Sequence, residues 1–306
     1  MTGHRTTGED TRCGVVAIVG APNAGKSTLL NQAVGAKVSI VTHKVQTTRT
    51  RIRGIAVTGE SQIVFVDTPG IFMPRDRLQR AMVDAAWRAV GDADVVVHLH
   101  DAARGALSEE ATELACRLAQ RSSRLVLALN KVDKIKRDAL LALTQSFQSA
   151  ADYKAVFMIS ALTGDGVDDL IAYLAAEVSP GPWLYPEDQL SDLPQRLIAA
   201  EVTREKLFLK LHQELPYALT VETESWEAFQ DGSVKISQTI YVTREGHKRM
   251  AIGKGGQTIR AVREEAQAEL AEMLGTKVHL FLFVKVRERW HDDPERYREW
   301  GLDFTA

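Results

Sequence analysis

The segment GAPNAGKST, at residues 20–28, restricts the fold of this chain more than any other stretch. It follows an apolar run, VVAIVG, and it opens a segment of helical periodicity from Lys26 to Val34. A glycine-rich loop between a strand and a helix is the context of a P-loop, where backbone N–H groups and the helix N-terminus face phosphates. The full pattern occurs by chance in about one chain in a hundred of this length. We therefore predict a phosphate-binding loop within an α/β sheet.

The side chains of this loop predict how a nucleotide is held. Lys26 should reach the β- and γ-phosphates, and the Ser27 hydroxyl should ligate Mg²⁺. A glycine-rich turn without a ligand is the alternative interpretation, and the motifs further along the chain weigh against it. The predicted phosphate-binding residues are Gly20, Asn23, Ala24, Gly25, Lys26, Ser27 and Thr28.

A second motif, DTPG at 67–70, ends the apolar run QIVFVD. The Asp67 carboxylate can hold the Mg²⁺ shell, and the Gly70 N–H can sense a γ-phosphate. We predict catalytic roles for Lys26, Asp67 and Gly70, and magnesium ligation by Ser27 and Asp67.

Two further motifs, NKVD and SAL, also end apolar runs. An aspartate at position 133 can accept hydrogen bonds from N1–H and N2–H₂ of guanine, which adenine does not offer, and a buried Asp133 would reject ATP by a factor of order 10⁴. Asn130 would brace the loops, the Lys131 stem would lie on the base plane, and the Ala161 N–H would meet the guanine O6. NKVD alone is better explained as a charged turn, but four motifs in order, each at a strand end, favour a guanine nucleotide. The predicted base-binding residues are Asn130, Lys131, Asp133, Ser160, Ala161 and Leu162.

Short apolar runs alternate with helical-period segments up to about residue 179. This alternation predicts a mostly parallel six-stranded sheet with helices on both faces. The proline-rich stretch SPGPWLYPEDQLSDLP follows and predicts a linker. We expect a disordered N-terminus at 1–12, a GTPase domain at 13–180, a linker at 181–193 and a second domain at 194–306.

Residues 13–180 resemble the GTPase domain of translation-factor-class GTPases. Within that class, the P-loop asparagine and the segment QTTR at 46–49 resemble the ribosome-assembly branch. This resemblance implies that a threonine just before the arginine closes on Mg²⁺ when GTP is bound. Thr48 matches by position as a metal ligand and catalytic residue, and Thr47 is the alternative.

Ile71 stands where many GTPases carry a glutamine that positions the attacking water. An isoleucine cannot orient water, so this route to hydrolysis is closed. The resemblance implies instead a K⁺ ion held partly by Asn23, which would do the charge-neutralising work of an arginine finger. A local role in stabilising the turn is the alternative for Asn23.

Another glycine-rich loop, GKGG at 253–256, lies near the end of the chain, and no Lys-Ser/Thr follows its last glycine. It joins two helices after a pair of alternating strands, in the predicted order α-β-β-α-α-β. Loop and order resemble a type II KH domain, a smaller α+β fold whose Gly-x-x-Gly loop clamps the backbone of single-stranded RNA. The implied RNA-binding residues are His247, Lys248, Arg249, Ile252, Gly253, Lys254, Gly255, Gly256, Ile259 and Arg260, with the two isoleucines lining the groove under the bases.

The charge of this half supports only a local RNA site. Residues 181–306 contain 17 Lys and Arg against 21 Asp and Glu, so no basic face covers the whole domain. Positive charge is concentrated around the loop, in the HKR segment, Lys254, Arg260 and Arg263. A solvated charge cluster is the alternative interpretation of these residues.

The join between the halves and the segment VTREGHKRMAIGKGG resemble the Era family, bacterial GTPases with a C-terminal KH domain. The resemblance covers nearly all of residues 13–300, with departures at TREK and AVREEAQ that concern fine RNA contacts. It implies a monomeric, GTP-hydrolysing switch with GTP or GDP, Mg²⁺ and K⁺ as cofactors. The implied partners are the 3′ end of small-subunit ribosomal RNA and the 30S subunit, whose maturation the family assists. Two alternatives stay open: a nucleotide-gated RNA-binding module with incidental hydrolysis, and a peripheral membrane GTPase.

The composition of the chain indicates which cellular compartment to expect. The two cysteines lack metal-ligand spacing, which favours a reducing compartment over a disulfide framework. The first twelve residues hold no apolar stretch, and no apolar run approaches the roughly 20 residues of a membrane span. We expect a cytoplasmic protein, with any membrane contact peripheral on the inner face.

Overall fold

The computed structural model of the chain describes residues 11–44, 47–49, 51–212 and 215–305. These residues divide into two compact units. The first unit contains the described residues up to Ser39, Thr48–Asp192 and the segment from Trp300 onward, and the second contains residues 40–47 and Leu193–Glu299. The predicted domain limits place residues 40–47 in the first domain and residues 300–305 in the second. In the structure each of these two short stretches belongs to the other unit.

Six strands form the sheet of the first unit: β1 (Arg12–Val19), β2 (Ile52–Thr58), β3 (Ser61–Asp67), β4 (Val95–Asp101), β5 (Leu125–Asn130) and β6 (Ala155–Ile159). Their spatial order is β2-β3-β1-β4-β5-β6, and only the β2–β3 pair is antiparallel. The predicted six-stranded, mostly parallel sheet is confirmed. β3 is buried along its whole length because elements cover both faces, which explains its unbroken apolar run.

Four helices connect these strands: α1 (Lys26–Val34), α2 (Arg77–Asp92), α3 (Glu109–Ala119) and α4 (Arg137–Ala150). A fifth helix, α5 (Val167–Glu177), follows β6. Local sequence sets where several of them begin. Asp76 caps α2 by accepting a hydrogen bond from the Gln79 N–H at 2.8 Å, and Ser108 caps α3. α1 begins instead after Gly25, whose φ of 100° no other residue type adopts readily. That glycine aims the helix N-terminus at the end of β1.

The proline-rich stretch is attached to the first unit by hydrogen bonds. Gln62 accepts the backbone N–H groups of Leu184 and Tyr185 at 2.9 and 3.0 Å, and its amide donates to the Tyr185 carbonyl. Near the end of this stretch, Asp192 Oδ2 accepts a hydrogen bond from Arg53 Nη1 at 3.1 Å. At the other end, residues 1–10 of the predicted disordered segment lie outside the described residues, whereas Arg12 already begins β1.

The second unit contains α6 (Gln195–Lys210), β7 (Leu219–Ala228), β8 (Val234–Val242), α7 (Glu245–Ile252), α8 (Gln257–Leu274), β9 (Val278–Val286) and α9 (Pro294–Glu299). Up to β9 this is the predicted α-β-β-α-α-β order, whereas α9 was not predicted. The sheet order is β7-β8-β9, with β7 antiparallel and β9 parallel to β8. α6 and α8 bury their apolar sides against one face of this sheet. Within the described residues, none of the helices is both long and apolar enough to cross a membrane.

Candidate functional site

The loop after β1 approaches its neighbours so closely that three glycines are required. A Cβ on Gly20 would lie 2.2 Å from the Leu99 carbonyl oxygen, and one on Gly70 would lie 2.9 Å from Pro22. On Gly25 it would lie 2.3 Å from Asn130 Nδ2. The DTPG segment is joined to the same loop, because the Ile71 N–H donates to the Gly20 carbonyl at 3.1 Å. The first two motifs therefore form one continuous structure.

Lys26 is held inside this loop. Its side chain is buried, and Nζ donates to the carbonyls of Gly20 and Ala21 at 3.3 and 3.0 Å. Burial lowers the pKa of Lys26 to about 8, although the nearby Asp67 carboxylate acts in the opposite direction. An ammonium group with so little hydration lies ready to interact with phosphate oxygens.

Three hydroxyl groups converge on Asp67 at the end of β3. Asp67 Oδ2 accepts from Ser27 Oγ at 2.7 Å, Ser39 Oγ at 3.0 Å and Thr48 Oγ1 at 3.2 Å. Burial raises the pKa of this carboxyl, and the hydrogen bond from Ser27 and the charge of Lys26 oppose that shift. The other oxygen, Oδ1, is buried without a hydrogen-bond partner among the described residues. A buried, unsatisfied carboxylate oxygen beside these three hydroxyls suits a hard cation.

These oxygen donors fit Mg²⁺, which binds through few protein ligands and leaves positions for phosphate and water. The part of the chain that the structure describes contains no group of three or more His, Cys, Asp or Glu side chains arranged to hold a metal ion. Hydroxyl ligands would therefore have to complete the site. Thr48 rather than Thr47 reaches it, because Thr47 Oγ1 bonds the Lys44 carbonyl at 2.7 Å and Thr42 Oγ1 at 2.6 Å.

Asn130, at the end of β5, joins the P-loop to the SAL segment. Its Nδ2 donates to the Ala24 carbonyl at 2.7 Å, and its Oδ1 accepts from the Ala161 N–H at 2.9 Å. The side chain is almost completely buried, so both bonds are shielded from water. Segments that lie more than 100 residues apart in sequence are thereby fixed in one frame.

The remaining predicted base-binding residues lie at different depths. Lys131 Nζ donates to the Asn23 carbonyl and to Asp101 Oδ2, both at 2.7 Å. Ser160 is fully buried, whereas the Leu162 side chain is 73% exposed. Asp133 is exposed in the turn after β5, so our expectation of a buried carboxylate is wrong for the chain by itself. Discrimination against adenine would require the base to cover Asp133.

Three residues that brace this site escaped the sequence analysis. Asp101 ends β4 and pairs with Lys131, and Arg104 Nη2 donates to the Pro22 carbonyl at 3.0 Å. Asn31 of α1 accepts the N–H groups of Val38 and Ser39, which holds the Ser39 hydroxyl toward Asp67. The position of Asp101 at a strand end was a usable signal. No local pattern marks the other two residues.

The predicted potassium ligand, Asn23, has a left-handed backbone with φ of 63°. Only Asn23 and Lys131 among the described non-glycine residues have positive φ, and both lie at this site. Such a backbone costs energy for most residue types, and asparagine tolerates it best. Ile71 is partly buried and packs against the hydrophobic core of the first unit. Its side chain has no polar group that could orient a water molecule.

The loop between α7 and α8 in the second unit is open. Lys254, Gly255 and Arg260 are exposed, and Gly253, Gly255 and Gly256 all have positive φ. A Cβ on Gly253 would lie 2.2 Å from Thr258 Oγ1, whereas Cβ atoms on the other two would meet no described atom within 4 Å. Backbone groups of this loop can therefore be approached closely from outside.

The flanking residues that were predicted to contact RNA differ in accessibility. Ile259 packs on the hydrophobic core of the unit and Ile252 ends α7, both half-buried, while Lys248 and Arg249 lie on the α7 surface. His247 is buried, with Nδ1 at 2.8 Å from Thr243 Oγ1 and Nε2 accepting from Arg244 Nε at 2.8 Å. Its ring faces inward, so the prediction of an RNA contact by His247 is wrong for this conformation.

The fold and the first site define a P-loop GTPase that is followed by a KH domain. Comparison with family models agrees, since residues 15–131 match the 50S ribosome-binding GTPase family and residues 214–291 match the KH domain family. GTPase Era of Mesorhizobium japonicum is 58% identical over 294 residues, 96% of this chain and 94% of that protein. GTPase Era of Brucella suis is 56% identical over 304 residues, 99% and 97% of the two chains. The chain belongs to the Era family of GTPases.

Solved structures of the family superpose closely. A variant of Aquifex aeolicus Era bound to GDP·AlF₄⁻ aligns with a TM-score of 0.90 at 36% identity, over 95% of this chain and 99% of that one. Era in complex with MgGDPNP and nucleotides 1506–1542 of 16S ribosomal RNA aligns with a TM-score of 0.89, also at 36% identity, over the same shares of the two chains.

Proposed function

We propose that this chain is a GTP-hydrolysing switch in the cytoplasm that binds the 3′ end of small-subunit ribosomal RNA and assists maturation of the 30S subunit. The nucleotide half of this proposal rests on two buried hydrogen bonds of Asn130, which donates to the Ala24 carbonyl and accepts from the Ala161 N–H. They fix the phosphate-binding loop and the base-recognition loop in one frame, so one nucleotide can engage both.

Each residue of the site has a separate task. Lys26 holds the β- and γ-phosphates, and the Gly70 N–H contacts the γ-phosphate. Ser27, Thr48 and Asp67 would hold Mg²⁺, which supplies charge neutralisation at the phosphate oxygens when bound. Asp133 accepts the two N–H groups of guanine while the Ala161 N–H donates to O6.

Base specificity tests this assignment. Asp133→Asn should weaken GTP binding strongly and improve binding of xanthosine triphosphate, whose O2 can accept a hydrogen bond from the new amide. Asp138→Asn is the matched control, because Asp138 is also exposed and lies on the next helix. Titration with fluorescent analogues of both nucleotides measures the effect. Unchanged GTP affinity in Asp133→Asn would refute the assignment of the base site.

Hydrolysis depends on K⁺ in this proposal. Ile71 offers no group to orient water, and Asn23 has its constrained backbone within the P-loop. A monovalent cation at the phosphates would stabilise the charge that develops during phosphoryl transfer.

The test compares turnover in K⁺ and in Na⁺ at equal ionic strength. The wild-type chain should be faster in K⁺. Asn23→Gly should remove the difference, because glycine accepts the φ of 63° and the variant loses only the side chain. Asn23→Ala adds backbone strain and serves as the second variant. Equal wild-type rates in the two salts would contradict the dependence on K⁺.

RNA binding is supported by the open Gly253–Gly256 loop and by the relative that holds 16S ribosomal RNA nucleotides. Small residues and Lys254 let phosphates approach this loop, and Ile259 offers an apolar surface to the bases. A single strand from the 3′ end of 16S ribosomal RNA is therefore the ligand to test by fluorescence anisotropy.

Ile71 also favours a second candidate, in which bound nucleotide gates RNA binding and hydrolysis is incidental. Single-turnover hydrolysis with and without RNA separates the two. A switch that responds to RNA should change the rate of its chemical step when the strand binds. If RNA does not change the hydrolysis rate while bound nucleotide changes RNA affinity, the chain is a nucleotide-gated RNA-binding module.

A further inference from the structure

Two phenylalanines stand exposed on the face of the small sheet that α6 and α8 do not cover. Phe281 and Phe283 of β9 are 47% and 53% exposed. They alternate with inward-facing residues, so both point to the same outer face, about 7 Å apart along the strand. β9 is an edge strand, because its sheet neighbour is β8 alone. Exposed aromatic pairs of this kind more often mark a binding surface than a stability element.

The charge of this face suits a polyanion. β8 and β9 contain Lys235, His279 and Lys285 but no aspartate or glutamate, although the half of the chain from residue 181 has an excess of acidic residues. The three acidic side chains of β7 are each engaged by partners within the unit. They are Glu222 with Arg296, Glu224 with the Tyr241 hydroxyl at 3.1 Å, and Glu227 with Lys235 at 3.3 Å.

The strand that carries the pair packs beside the helix that follows the Gly-x-x-Gly loop. Ile259, three residues after the loop, packs on the same apolar cluster as the inward-facing residues Leu282 and Val284 of β9. Gln267 of α8 accepts the Leu280 N–H at 3.0 Å, which holds this strand beside the helix that follows the loop. Phe281 and Phe283 point from the other face of this edge strand, so an RNA strand held by the loop would reach them by crossing the edge of β9.

We propose that Phe281 and Phe283 form a second RNA-binding surface, on which two unpaired bases stack beyond the segment held by the Gly253–Gly256 loop. This inference rests on the RNA binding proposed above. Aromatic side chains on an open sheet stack single-stranded bases in other RNA-binding folds, with basic side chains tracking the backbone. Lys285, which is exposed on the same strand, is positioned to meet a phosphate beside the pair. A second copy of this chain fits less well, because two such faces would bring lysines against lysines.

The test uses the full chain with Phe281→Thr and Phe283→Thr combined, since threonine keeps the strand propensity and removes the ring. Phe229→Thr is the matched control, a phenylalanine of 46% exposure at the end of the β7–β8 hairpin. The probes are a long RNA with the sequence of 16S nucleotides 1506–1542 and a short single strand sized to the loop alone. Fluorescence anisotropy measures affinity, and thermal unfolding checks that the variants fold.

We expect the double variant to bind the long RNA about thirty-fold more weakly, as the removal of two stacking platforms predicts. The double variant should bind the short strand as tightly as the wild-type chain does. The combined Phe281→Trp and Phe283→Trp variant should keep full affinity for the long RNA. If the double variant binds the long RNA like Phe229→Thr does, the surface is not an RNA site. Light scattering provides a second check. If the wild-type chain forms a dimer and the double variant does not, the face belongs to a second copy and the inference is overturned. Absence of RNA binding by the wild-type chain would instead refute the proposed function itself.

Discussion

A methyl group added to Gly25 would lie 2.3 Å from Asn130 Nδ2, whereas one added to Gly255 would meet no described atom within 4 Å beyond its chain neighbours. The two loops have glycines, a lysine and a following helix in common, yet their surroundings differ. The first is enclosed by Asn130, Gly70 and the Leu99 carbonyl, with its lysine buried. The second exposes both its lysine and its backbone.

This difference shows what each loop can recognise. Buried, fully bonded polar groups are rigid, so the first loop presents a fixed geometry to one compact triphosphate. An exposed loop presents only backbone and charge, which suits the repeated phosphates of a strand and selects little by itself. Specificity at the second site must then come from the surfaces beside the loop, where bases can lie.

The largest expected difference between the two loops comes from making the same substitution, glycine to alanine, in each of them. Gly25→Ala should weaken GTP binding about a hundred-fold or more, because the methyl group displaces Asn130 and the φ of 100° becomes strained. Gly255 also has a positive φ, of 60°, but a methyl group at this position would meet no neighbouring atom. Gly255→Ala should therefore lower RNA affinity only a few-fold. Nucleotide titration and RNA anisotropy on both variants measure this. Similar losses in the two would mean that enclosure does not distinguish the loops.

Asn130→Ala should have the next largest effect. It leaves the Ala24 carbonyl and the Ala161 N–H buried without their partner, at a cost of about 2 kcal/mol, or about thirty-fold in GTP affinity. RNA affinity of the nucleotide-free chain should not change. Gln62→Ala, which leaves the N–H groups of Leu184 and Tyr185 without their acceptor, is the control for removal of a buried amide elsewhere in the same unit. A normal GTP affinity in Asn130→Ala would show that the brace is not needed.

The strands and motifs of the first unit were predictable because each is local. An apolar run followed by a short polar motif predicts a strand end, and four such ends meet at one edge of a parallel sheet. The bracing contacts were not predictable, since Arg104 and Pro22 meet only after the sheet order is known. Asp133 illustrates the same limit, because the motif NKVD does not indicate that this side chain is exposed.

The second unit was predicted in outline and missed in detail. Alternation predicted β7 and β8, and glycines predicted the loop. His247 was taken for a surface residue because it stands in the basic segment HKR, yet Thr243 and Arg244 bond its ring and hold it inside. α9 follows the last strand without strong periodicity, and its Arg296 and Tyr297 are buried by tertiary contacts.

The smallest expected effect concerns pH and the core behind the first site. Burial lowers the pKa of His98 to about 3, and its Nδ1 lies 2.7 Å from the Tyr153 hydroxyl. The unfolded chain takes up a proton below pH 6.5 that the folded unit refuses, so stability is full above that pH and falls toward pH 3. Between pH 7.5 and 5.5 the decrease should be about 1 kcal/mol from this residue. Urea unfolding of wild type and His98→Phe at both pH values measures it, and an identical pH dependence in the two would exclude His98 as the source.

The claim that the two loops hold different phosphates is tested most directly by a double dissociation. GTP affinity and RNA affinity are measured for two variants, Lys26→Ala and the combined Lys254→Asp and Gly255→Asp, with a single strand from the 3′ end of 16S ribosomal RNA. The first variant should lose GTP binding and keep RNA binding in the absence of nucleotide. The second should keep GTP affinity and release the RNA, and its residual binding should depend less on salt, by about 0.7 in the logarithmic slope for each phosphate that the loop no longer binds. If the double-aspartate variant binds the strand as tightly as wild type, or if it loses GTP, the two loops do not have separate ligands.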